Sequence, residues 1–141
     1  MAQNKSKLKA PTQESSKRLT APPLSGSGSS ENEPPAFCFQ YIRSTYCLTL
    51  CPQEEQAALA MTLYELSRLT WAQIHGAHRH EKGCEKIART SIHGDSIPGH
   101  ITEDVNLWAF RFCGLAAMVG FRSGRIFHIV WLDRDFTLYK H

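Results

Sequence analysis

The chain has 141 residues, of which 42% are apolar and 21% charged. That is enough for one soluble domain with a real core, and no apolar run approaches the roughly 20 residues that a membrane-spanning helix needs. The formal charge of +3 is unevenly spread: residues 1–36 carry +2, residues 37–106 carry −2 and residues 107–141 carry +3, a split compatible with an anionic ligand at the C-terminal end. Five cysteines and a basic N-terminus without an apolar core segment give the expectation of a reduced, cytoplasmic protein without a secretory signal.

Residues 1–36 are rich in Ser, Pro, Gly and Lys, with only scattered apolar positions. Such a segment cannot bury enough surface to offset the cost of ordering, so a disordered basic Ser/Pro-rich tail is expected there. A folded domain is expected over 37–141. Its first element is a strand over Phe37–Thr45, because Phe37, Phe39 and Tyr41 alternate with Cys38, Gln40 and Ile42. Pro52, with Glu54 and Glu55 behind it, suits the start of a helix. Leu59, Leu63 and Leu66 continue it at helical spacing, which predicts a helix from Pro52 to Leu69. Thr70-Trp71-Ala72-Gln73 reads as a capping box opening a second helix and so a helical hairpin.

His75 to Pro98 is polar and predicts a loop with room for one short strand. The stretch Leu107–His141 then packs aromatic and β-branched residues into three runs, broken at Gly114 and at Ser123-Gly124. Three consecutive short strands in an antiparallel meander are expected, with the helices on one face. The predicted class is therefore α+β: strand, helical hairpin, three-stranded meander.

Ser123-Gly124 has the length of a two-residue hairpin turn. That register sets Arg122 opposite Arg125 and Val119 opposite His128. One face then carries Met118, Gly120, Arg122, Arg125, Phe127, Ile129 and Trp131, and the other carries Ala117, Val119, Phe121, Ile126, His128, Val130 and Leu132. Both are largely apolar, and one helical layer covers only one of them. The arginine face is expected to stay open and to bind a phosphate chain or a partner segment. His128 falls on the opposite side.

This order of elements resembles the RelE/ParE-like toxins of bacterial toxin–antitoxin systems. The tracts Met118-Val119-Gly120-Phe121-Arg122 and Phe127-His128-Ile129-Val130-Trp131 resemble the family's final hairpin, and Tyr139-Lys140-His141 is similar to the endings of some members. The resemblance implies a metal-independent endoribonuclease toxin of a type II system that cleaves mRNA on the ribosome, without a cofactor. Arg111 and Arg122 would stabilise charge on phosphorus, and Tyr139 or His141 would move the proton. Arg125, Arg134 and Lys140 would bind RNA. The implied partners are a cognate antitoxin and RNA or the ribosome. The central lysine cluster of some nuclease members has no counterpart here. That favours an alternative, a non-catalytic binding protein of the same fold: a gyrase-inhibitor-like toxin or a degenerate accessory protein of a mobile element.

Other groups weigh less. His75, His78, His80 and Cys84 are metal-ligating types, but their spacing matches no common zinc pattern, and a solvated loop is the simpler expectation. Arg79, Lys82 and Lys86 alternate with Glu81 and Glu85, which cancel their field. Asp133 and Asp135 are expected to end the last strand in a turn.

Overall fold

The computed structural model describes residues 29–78 and 82–140. The expected disorder of residues 1–28 lies outside that range, as do Arg79, His80, Glu81 and His141. The fold is α+β, with one five-stranded mixed sheet in the order β1-β5-β4-β3-β2. Its strands are β1 (Ala36–Cys38), β2 (Glu85–Ile87), β3 (Leu107–Cys113), β4 (Ala116–Ser123) and β5 (Ile126–Asp133). Two helices, α1 (Gln53–Leu66) and α2 (Trp71–Gly76), lie between β1 and β2.

The folded part starts earlier than the sequence suggests. A short 3-10 turn at Ser30–Asn32 and the buried Pro35 precede β1, so part of the expected tail packs on the domain. Trp71 N–H donates to the Glu33 carbonyl, which pins this segment to the start of α2. The expected long first strand is only three residues, paired in parallel with β5 from Ala36↔Ile126 to Cys38↔His128. It stops because β5 bulges just beyond. Opposite Val119–Gly120 the ladder jumps from Ile129 to Trp131, and an extra residue breaks the regular row of partners a neighbouring strand requires. The chain turns away instead, and Arg43 N–H takes the Val130 carbonyl at 2.8 Å.

The helices follow local rules. Pro52 is the N-cap of α1, with Glu54 and Glu55 in its first turn. The helix ends at Leu66, with Ser67 as its C-cap, three residues short of the expectation. Thr70 and Gln73 form the full capping box: the Thr70 hydroxyl accepts from Gln73 N–H, and the Gln73 side-chain oxygen accepts from Thr70 N–H.

The meander is present, in a register two residues away from the expected one. Ser123 pairs with Ile126, Arg122 with Phe127 and Phe121 with His128, so the turn residues are Gly124 and Arg125. Gly124 adopts φ 59°, which a residue without Cβ takes at little cost. Arg122 and Arg125 are therefore not opposite one another. A shift of two leaves every side chain on its expected face up to the bulge. Beyond it, Val130 and Trp131 fall on the same side and Leu132 crosses to the other. Gly120 is required at this point, since a Cβ there would run into the His128 carbonyl oxygen.

Both faces of the sheet are covered. On one, Leu59, Leu66, Trp71 and Ile74 from the helices pack on Phe110, Phe112, Met118, Phe127 and Ile129. On the other, loops and turns supply Ile101, Leu138 and Tyr139, with Tyr41, Tyr46 and Ile92, over Leu107, Ala109, Val119, Val130 and Trp131. The expected open arginine face is the face beneath the helices. A sheet hydrophobic on both sides recruits a second layer, and here irregular chain provides it. No helix among the described residues is long and apolar enough to cross a membrane.

Candidate functional site

The residues expected to cut or hold a phosphate chain are dispersed, and most have partners. Arg122 leaves β4 on the helix side, with its guanidinium carbon 4.3 Å from the centre of the Trp71 ring. Its Nε donates to the Gly124 carbonyl at 2.7 Å and its Nη2 to the Ser30 hydroxyl at 2.6 Å. Its Nη1 is paired with the Glu31 carboxylate and lies 3.3 Å from His75 Nε2. Only 16% of the side chain is exposed. A ring face below and a carboxylate beside it satisfy the cation as an incoming phosphate would.

Arg134 makes a two-pronged pair with Glu55, Nε to Oε2 at 2.8 Å and Nη2 to Oε1 at 3.2 Å, tying the end of β5 to the start of α1. Arg111 donates to the Leu115 carbonyl at 2.9 Å and braces the β3–β4 turn. Alternation along the strands puts Arg111 on the loop-covered face, across the sheet from Arg122. Arg125 sits in the β4–β5 turn, where its carbonyl accepts from Ala36 N–H and from the Trp71 indole. Tyr139 is 4% exposed, packed in the loop-side core and bridged to Ile92. Lys140 is exposed, and His141 lies outside the described residues. Arg111, Arg122 and Tyr139 thus do not converge on one site.

A groove of about 480 Å³ does run beside Arg122. Glu31 and Asp104 line it together with Ser30, Asn106 and Trp108. Two carboxylates beside one already paired guanidinium make it a poor bed for a polyanion.

The His-rich stretch brings Cys84 Sγ to 3.6 Å from His75 Nδ1. Burial pushes the Cys84 thiol up to about 11, so it is protonated at neutral pH. Among the described residues no three His, Cys, Asp or Glu side chains are placed to hold a metal ion. His80 lies outside them.

The loop side holds a different cluster. His128 stacks on Phe121 (4.8 Å between ring centres, 19° between planes), and Tyr41 lies 5.3 Å from His128 and 6.0 Å from Phe121. His100 lies 4.4 Å from Tyr41 and is exposed, the outermost ring of the four. His128 Nδ1 is buried without a hydrogen-bond partner among the described residues. Desolvation, with the nearby His100 adding to it, pushes the His128 imidazole below its usual range and keeps it neutral at pH 7.

Next to these rings, Arg43 grips Asp95 with Nε at 2.8 Å and Nη2 at 3.4 Å, and the Trp131 indole donates to the same carboxylate at 3.0 Å. A groove of about 550 Å³ is lined by Gln40–Thr45, Asp95, Pro98 and His100. In the sequence His128 is visibly on the side away from Arg122. His100 and Asp95 sit in a polar stretch with no periodic signal, Arg43 sits near the end of the expected first strand, and only the fold unites them.

No protein-family model, curated protein or solved structure matches the chain.

Proposed function

We propose that the protein is a binding protein of the RelE-like class, one that holds a partner without cutting it. The observation supporting this reading is the closure of Arg122. The nuclease chemistry implied by the resemblance needs a cationic sheet face open to a phosphate chain. Here that face lies under α1 and α2, and its arginine is paired with Glu31 and seated on Trp71. In this reading the chain belongs to a toxin–antitoxin pair or a mobile element, with an antitoxin as its natural partner.

Ribonuclease activity is the second reading, and one feature favours it. The turn that brings Glu31 to Arg122 buries none of its own residues, so lifting it would cost little apolar contact. Arg122 would then face an RNA phosphate, with Arg125, Arg134 and Lys140 nearby in the chain.

Inducible expression with a growth curve and mapping of transcript ends separates the two. The binding reading expects transcripts to stay intact, in the wild type and in Glu31→Ala alike. New transcript ends that disappear in Arg122→Ala would overturn it in favour of the nuclease.

A further inference from the structure

The groove between residues 40–45 and 95–100 lies across the sheet from Arg122 and has no role in either reading above. It combines three features that small-ligand sites need. The first is a cluster of aromatic rings: His100 packs tilted on Tyr41, 4.4 Å between ring centres, and Tyr41 is backed by His128 and Phe121. The backing rings are anchored in β4 and β5, so the cluster is held before any ligand arrives. The second is a polar rim in which Gln40, Arg43, Ser44 and Thr45 line the same space. The third is room, since about 550 Å³ falls within the range of small-molecule pockets.

The charges in the groove can be assigned one by one. Asp95 is its carboxylate, and that charge is committed to Arg43 and the Trp131 indole. Arg43 gives Asp95 its Nε and Nη2, while its Nη1 makes no hydrogen bond among the described residues. The free edge of a guanidinium beside two hydroxyls suits a phosphate oxygen. The exposed imidazole suits a planar base, because stacking on an aromatic platform tolerates any base. Gln40 offers an amide donor and acceptor within the same space for a base edge.

We propose that this groove binds a nucleoside 5′-monophosphate, with the base stacked on His100 and the phosphate against Arg43, Ser44 and Thr45. Neither the binding nor the nuclease reading is required for it. Cleaved transcripts would overturn the binding reading and leave this site untouched.

The test is titration of the full chain with AMP, adenosine, ribose 5-phosphate and a hexaadenylate strand, followed by calorimetry and by backbone amide NMR. AMP should bind saturably and more tightly than adenosine or ribose 5-phosphate. Its shift changes should fall in residues 40–45 and 95–100. His100→Ala should weaken AMP binding about tenfold, the value of one stacked base, whereas Arg122→Ala should leave it unchanged. A hexaadenylate affinity well above that of AMP would identify the nucleotide as a unit of a strand, and equal affinities a free mononucleotide. No saturable binding of AMP or hexaadenylate at millimolar concentration would overturn the proposal. So would shift changes confined to other parts of the chain, a reading that does not depend on any variant folding.

Discussion

Asp133 shows how much one buried polar side chain decides. It is fully buried at the end of β5, and its Oδ1 accepts from Thr137 N–H at 2.9 Å and Leu138 N–H at 3.2 Å. These bonds fold the last described residues back so that Leu138 and Tyr139 enter the loop-side core. Asp133→Ala strands two backbone donors and should cost about 2 kcal/mol, whereas Asp133→Asn keeps an acceptor and should cost less. Urea unfolding of the two variants checks this.

Asp95 behaves differently. The Arg43 hydrogen bond holds its carboxyl below the usual carboxylate range, against a smaller opposing effect of burial. A carboxylate with a depressed folded-state pKa adds stability that is present above the unfolded value, about 4. That stability is lost as pH falls through the lower folded value. Asp95→Asn should therefore flatten the fall in urea midpoint in this acid range, and a wild-type slope retained in the variant would show that Asp95 is not its source.

At the scale of elements, the strongest local signals were legible. The capping box at Thr70 and Gln73 was readable because both partners lie within four residues. Thr70→Ala should cost about 1 kcal/mol and Thr70→Ser much less, as denaturation of both would show. The three strands of the meander were readable from their runs of aromatic and β-branched residues. The turn register was not. Ser123-Gly124 and Gly124-Arg125 are both two-residue turns permitted by one glycine, and the pairing of whole strands decides between them.

The bulge was equally hidden, being a relation between Gly120 and the Val130 region across strands. It shortened β1, moved Trp131 to the loop side and brought Arg43 to Val130. Gly120→Ala forces the His128 carbonyl to move. It should destabilise by about 2 kcal/mol or more, with the largest amide shift changes in β1 and β5.

For the whole molecule the arrangement is a sheet between two unlike layers, helices on one side and turns on the other. The sequence showed that both faces were apolar, and a helical layer for one of them followed at once. The covering of the second face was not legible, because Ile92 and Ile101 are isolated in polar stretches without period, and Tyr41 lies in a segment whose alternation reads as a strand of the sheet and not as a loop above it. The same non-locality scattered the candidate site. Arg122 was legible as a strand arginine, but Glu31 and Ser30, which occupy it, sit 91 and 92 residues earlier in the chain, inside the segment expected to be disordered.

Whether Arg122 is closed in solution is the point on which the binding reading proposed above rests. Phenylglyoxal modification of the native chain, read residue by residue by mass spectrometry, measures this directly, with the exposed Arg68 as internal reference. Arg122 should react far more slowly than Arg68 and catch up when the chain is unfolded in urea. Equal rates in the native protein would mean that Glu31 and Trp71 do not hold it, and would contradict the account.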